Sequence, residues 1–510
     1  MGRTGITHTG LVLASLAVLA IAACSSSKIY PNVKPAWFGA TPPSALANPA
    51  VKPGGQVPAA IVPAGEEDRT VLGGDRIRMS VDQVIGFADE MRRQGNQMWG
   101  RISGFPSQAR TADWLTTELE SAGLKDVKNQ TYQATGEFWW PNEWSATVIG
   151  DPAYGDLTID VKLASAVPVS GSFIDGIIEA PAVFVGDAGE VTTDGVSGKI
   201  AIQHTHPDTG AYSDRTKVRE SSEKLIKAGA VSVINWVEQA GNMHVFDFGR
   251  CGGPCFNIGG ADGKFITDAI KNAKDKKAPE IKLRLTLKAE MKKGLEAQNV
   301  IGVLPGKSPE AIIVNAHLDS WFNGAGDNAD GVGVLVALAR YFSHQTAPLP
   351  KTLIFVGSGG HHSPGMNGPG NLVTMNADTL KPVQLVINLE HLAQFQIDAV
   401  PEWKVNTGEQ PKGFGVSNMS PYLVNLVKQA SQRYGFAINP EITNSVPGDL
   451  GGYAPLNVAR IQGIHSGPLY HTSGDTLDSI SEPGLEKAAR FYAYLIEQAM
   501  TASAQELNPK

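Results

Sequence analysis

The chain predicts an α/β protein: an α/β/α sandwich with a mostly parallel central sheet, plus an inserted β-rich domain. Three observations point there. After Gln298, short apolar runs (NVIGVLPG, AIIVNA, KTLIFVG, QLVINLE, RIQGI) alternate with helical patterns (GVGVLVALARYFSHQ, SPYLVNLVKQASQRYG, EPGLEKAARFYAYLIEQAM), the rhythm of strands joined by crossover helices. Between about Gly150 and Glu290 the texture changes to short β-type runs (DLTIDVKLA, PAVFVG, KIAIQH, VSVINW) and one helix, SSEKLIKAGA. Finally, His, Asp and Glu residues stand directly after the apolar runs, where the loops of an open α/β sheet converge on ligands.

The 510 residues exceed what one core supports, since single cores stop growing at about 250–300 residues. A net charge of −7 supplies no basic surface and argues against a nucleic-acid partner. Arg3 precedes LVLASLAVLAIAA, an apolar run too short to cross a bilayer comfortably and ending in small residues, so 1–23 reads as a signal peptide. Ile21-Ala22-Ala23-Cys24 before three serines resembles a bacterial lipobox, which makes Cys24 the lipidated first residue of the mature chain. That predicts attachment to a membrane through Cys24 and an extracytoplasmic place in the bacterial envelope, at the outer membrane, periplasm or cell surface. Residues 24–74, rich in Pro, Ala and Gly without periodicity, read as an extended tether.

Residues 75–149 read as the first part of the main domain. VDQVIGFADEMRRQ and SQARTADWLTTELESAG have helical spacing, Gly123 stops the second, and KDVKNQTY follows as an edge strand. The aromatic cluster FWWPNEW, Phe138 to Trp144, reads as packed core or a domain seam. Residues 150–290 form the insertion and 291–505 the main part of the principal domain. Cys251 and Cys255, across Gly-Gly-Pro, are a plausible disulfide in an oxidising compartment. His204, His206 and His244 lack acidic partners at ligand spacing and read as solvated or packed.

The stretch AIIVNAHLDSWFNGAGDNADG, Ala311 to Gly331, has the outline of a metal site. A strand delivers His317 and Asp319 at its end, and a glycine-rich loop returns with Asp327 before a helix. Glu390 after QLVINL and His471 in LYHTSGDT stand at similar loop positions. Mixed imidazole and carboxylate donors suit zinc. GGHHSPG lacks the lysine of a phosphate-binding loop, and Gly357-Ser358-Gly359 does not place its serine as a nucleophile elbow does.

Together, NVIGVLPG, HLDSW at 317–321, GAGDNADG, and YHTSGD at 470–475 resemble the secreted dizinc aminopeptidase and glutamate carboxypeptidase family, metallopeptidase family 28, over about residues 80 to 500. GKIAIQ, a helix and AGAVSVINW resemble the protease-associated domain inserted in many secreted peptidases. The resemblance implies Zn2+, two ions per chain, with Asp327 bridging, His317 and Glu390 on one metal and His471 on the other. It implies that Asp319 orients His317, that Asp475 helps position the His471 loop, and that the substrate is a peptide or N-terminal amino acid. Where the family has Glu-Glu-Gly, this chain reads GGHHSPGMNG. Counting from the strand puts His361 at the general base and His362 at a metal ligand, whereas counting back from GMNG puts His362 and Ser363 there; the first count is preferred. Glu390 replaces the usual aspartate. Two readings follow: an altered but active metallopeptidase, aminopeptidase foremost, or a metal- or ligand-binding lipoprotein without catalysis. Asp449, Tyr453 and His465 are weaker pocket candidates, Asp449 reading first as a turn residue.

Overall fold

The structure is a computed structural model that describes residues 36–509 apart from 44, 49–51, 54–56, 155–157, 170–172, 174, 207–214, 247, 250 and 399–403. The proposed signal peptide and Cys24 lie outside the described residues. No helix among the described residues is long and apolar enough to cross a membrane.

An eight-stranded sheet organises the main domain. In spatial order its strands are Ile438–Thr443, Lys412–Val416, Ala459–Ile464, Val383–Leu389, Ser308–His317, Lys351–Ser358, Glu296–Leu304 and Lys125–Gln133. The four central strands, from Ala459–Ile464 to Lys351–Ser358, are mutually parallel, and both flanks turn antiparallel. These central strands are apolar on both faces because helices cover both. On one face, Gly74–Arg93, Pro106–Ser121, Asp330–Ser343, Pro421–Tyr434 and Glu482–Thr501 contribute residues such as Val81, Leu115, Leu335, Val427 and Leu495 to one core with Ile312 and Val314. On the other, Gly368–Met375 and the turn Gly448–Gly451 pack Leu372 and Leu450 against Ile313 and Val356. This is the α/β/α sandwich, with Lys125–Gln133 as its edge strand.

The second sheet runs Val161–Lys162, Phe138–Val148, Lys282–Lys292, Asp175–Asp187, Ile200–Thr205, Ser232–Val237, Cys255–Ile258, Val167–Pro168. Phe138–Val148 therefore belongs to the insertion, and the boundary expected at 150 falls before 138. Its Pro141 disguised the strand, because proline is tolerated in a sheet at edges and bulges. Here it faces Ala289, beside the register shift between Lys288 and Ala289. Phe138 and Trp140 are buried, and Phe138 stacks on Trp321 of the main domain at 6.5 Å, which makes the cluster a seam.

The segment expected to be a loose tether is, in its described part, packed on the protein. Trp37 is 1% exposed, with ring contacts to Tyr154 at 5.1 Å and Phe265 at 5.8 Å. Lys52–Pro53 pairs with Lys404 and Val405 in a small third sheet. Glu66, also buried, accepts from Arg433 at 2.6 Å and from the Tyr434 hydroxyl. An aromatic anchor, a strand pairing and an ionic anchor thus hold a segment that has no periodicity of its own.

Candidate metal centre

The centre forms where the parallel strands end at one level. His317 is level with Ser358, and Asn315 with Asn388, so the residues that follow (Asp319, Gly359 to His362, Glu390, His391) emerge together. Asp327 sits in their midst. Its Oδ1 lies 3.2 Å from His317 Nε2, 3.2 Å from His362 Nε2 and 3.3 Å from His391 Nε2, and its Oδ2 lies 3.1 Å from His471 Nε2. Glu390 Oε1 is 3.9 Å from His317 Nε2 and 3.8 Å from His361 Nε2. Donor atoms of His317, His361 and His362 lie within 4.8 Å of one another, as do those of Asp327, His362 and His471.

These spacings fit metal. With bonds of about 2.0–2.1 Å, two donors on a tetrahedral zinc stand about 3.3–3.4 Å apart. Among the described residues the buried Nε2 atoms of His317 and His391 have no hydrogen-bond partner, although both face the cluster. Burial alone would raise the Asp327 pKa, yet the imidazoles of His362, His391 and His317 hold it well below the usual carboxylate range. His362 is pushed down to about 4 by burial, which favours the neutral ring a metal needs.

The support around the donors is built from backbone as much as from side chains. His317 Nδ1 bonds to the carbonyl of Asp319 at 3.0 Å, while the Asp319 carboxylate, 3.6 Å away, accepts from the amides of His361 at 3.2 Å and His362 at 2.9 Å. Asp319 thus serves the histidine pair directly, whereas the resemblance implied only that it orients His317. Gly360, at φ +82°, makes the turn into that pair, and a Cβ there would stand 2.5 Å from the Tyr132 hydroxyl. Asp475 accepts from the amides of Gly326 at 2.9 Å and Asp327 at 3.1 Å, so it braces the Asp327 loop as well as its own. The insertion reaches the same place: the amide of Phe246 donates to the His471 carbonyl at 2.9 Å, and that of Ser473 to the His244 carbonyl at 3.0 Å.

Beneath the Asp327 loop, the fully buried Arg101 donates to the carbonyls of Leu318 at 2.9 Å, Asn323 at 2.7 Å and Gly324 at 3.1 Å. Arg101→Met would remove all three bonds and take the side-chain donor from the Leu318 and Asn323 carbonyls, while Gly324 would keep the amide of Ala329 at 3.0 Å. We expect a loss of about 3 kcal/mol or more of stability, read by denaturant unfolding of the metal-free protein; an unchanged midpoint would show that the loop holds itself.

Among the expected residues, the structure brings His317, Asp319, Asp327, His361, His362, Glu390 and His471 into one cluster. Cys251 and Cys255 are joined by a disulfide at a Cα separation of 6.3 Å. Asp449 is more than a turn residue. It is buried, receives His361 Nδ1 at 2.8 Å and also accepts from Asn315 at 3.0 Å and from Ser358. Tyr453 is a core residue donating to Asn315 at 2.9 Å. His465 contributes its carbonyl, which accepts from His391 Nδ1. His204, read as lacking acidic partners, has them: Asp187 at 2.6 Å and Glu238 at 2.8 Å, brought from neighbouring strand ends that no linear spacing reveals. His391 and Arg101 were not singled out from the sequence. His391 directly follows Glu390 at a strand end, which was the available signal.

The fold and the cluster define an α/β/α protein with His and carboxylate side chains that could hold a metal gathered at the carboxyl edge of its parallel strands. Residues 299–496 match the profile of peptidase family M28. Aminopeptidase YwaD of Bacillus subtilis (strain 168) is 24% identical over 241 residues, or 44% of this chain and 49% of that protein, so the match spans about half the length of the relative. Among solved structures, the zinc aminopeptidase BSAP from Bacillus subtilis shares the fold at a TM-score of 0.57 and 20% identity, covering 86% of this chain and 98% of that one. The peptidase M28 precursor from Shewanella amazonensis SB2B does so at 0.61 and 17%, covering 86% and 97%.

Proposed function

We propose that the protein is a lipid-anchored, extracytoplasmic zinc-dependent hydrolase of peptide or related amide bonds, with an aminopeptidase as the leading subclass. The observation that carries this reading is the convergence of four imidazole Nε2 atoms on the two oxygens of Asp327 at 3.1–3.3 Å. The family and the aminopeptidase relatives support the class of reaction; the lipobox-like Cys24 supports the location.

Asp327 would bridge two zinc ions, with His317 and Glu390 holding one and His362 and His471 the other. Bound zinc supplies Lewis-acid activation of water and of the scissile carbonyl. The chain supplies the proton acceptor. His361 stacks on His317 at 4.1 Å with 8° between the rings, and Asp449 fixes its Nδ1, which leaves Nε2 on the donor side of the ring. A carboxylate-held imidazole is suited to take a proton and return it to the leaving amine, so His361 would do the work of the family's glutamate. The insertion, resembling a protease-associated domain, is bonded to the 471–473 loop and would cap the cleft from there.

The test is chelator-sensitive, zinc-restored hydrolysis of aminoacyl anilides or dipeptides by the purified protein. Metal uptake without turnover on a broad amide panel would favour the non-catalytic reading instead.

A further inference from the structure

We propose that His391 is a metal ligand of this centre, the counterpart of His317 on the bridging carboxylate; the inference rests on the metal-hydrolase reading above. The two side chains are built alike. Each ring gives Nδ1 to a backbone carbonyl, that of Asp319 for His317 and that of His465 for His391. A carbonyl only accepts, so Nδ1 carries the hydrogen, and in the neutral ring Nε2 presents its lone pair. Each Nε2 is buried, has no hydrogen-bond partner among the described residues, and stands 3.2 Å or 3.3 Å from the same oxygen, Asp327 Oδ1. Each is also 3.9 Å from Glu390 Oε1.

The competing explanation makes His391 an imidazolium paired with Asp327. That account then has to hold for His317 too, whose Nδ1 is likewise given to a carbonyl and whose Nε2 meets the same oxygen. Where His317 holds a metal beside Asp327 and Glu390, as in the reading above, His391 is placed to do so by the same geometry, with His362 and His471 completing the circle of donors around Asp327. The consequence is a nitrogen-rich centre, with imidazoles at 317, 362, 391 and 471. Such donors favour zinc, copper, nickel and cobalt over manganese and magnesium.

The test uses the full chain, its H391A and H391C variants, and chelator competition with Zn2+ and Co2+. Wild type is expected to hold both ions. In H391A the affinity for the weaker ion falls at least about tenfold, the lower end of what even an outer-shell partner contributes. H391C loaded with Co2+ gains a cobalt–thiolate charge-transfer band absent from wild type, a signature that a packing role does not produce. Should H391A bind as tightly as wild type, or metal-loaded H391C show no such band, His391 is not a ligand. If wild type takes up no metal, the hydrolase reading falls with this one; if wild type binds and both variants match it, only the role of His391 falls.

Discussion

Replacing Asp327 by alanine is expected to empty the proposed metal positions and to reduce hydrolysis to background, a fall of about 10⁴-fold or more given that enzymes accelerate reactions by at least about 10⁶. The size of the effect follows from position. Among the described residues Asp327 lies within 3.3 Å of His317, His362, His391 and His471 together, so its removal takes a shared carboxylate from all four. Asp327→Asn is the sharper variant because it preserves shape and removes charge. Metal content by elemental analysis and kcat/KM on an aminoacyl anilide read both. Full metal occupancy in Asp327→Asn would mean that Asp327 does not bridge.

The second large effect is at His361. Its alanine variant retains metal and loses about 10²–10⁴ in kcat with KM little changed, the contribution of a positioned general base. His361→Glu, restoring the family's residue type, recovers a substantial part. Asp449→Asn lowers kcat less, because it disturbs the orientation and tautomer of the His361 ring without removing it. Loss of metal in His361→Ala would instead place the ring among the ligands, which its spacing with His317 and His362 permits.

The main fold was legible because its central strands are continuous apolar runs and its helices have clear periodicity, as in AIIVNA and GVGVLVALARYFSHQ. That His317, Asp327, Glu390 and His471 come together was legible for a related reason: a polar residue directly after a buried strand has few structural duties. What escaped depends on contacts distant in sequence. Arg101 lies 217 residues from Leu318, whose carbonyl it binds, and an arginine after a helix looks like any solvated cation. Asp449 lies 88 residues from His361 and reads locally as part of a Pro-Gly-Asp turn. Trp37 and Glu66 hold a segment whose composition is that of a linker, since two buried contacts leave no periodic trace. Phe138–Val148 was misplaced because a proline inside a strand mimics a break.

The most direct test of a two-metal hydrolase is anomalous diffraction at the zinc edge from crystals of the unmutated protein, with hydrolysis assayed on the same preparation before and after chelation. The expected result is two peaks flanking Asp327, one on the His317 side and one on the His362–His471 side, with activity lost on chelation and restored by zinc. No anomalous density among these residues, in protein that still hydrolyses amides after chelation, would contradict it.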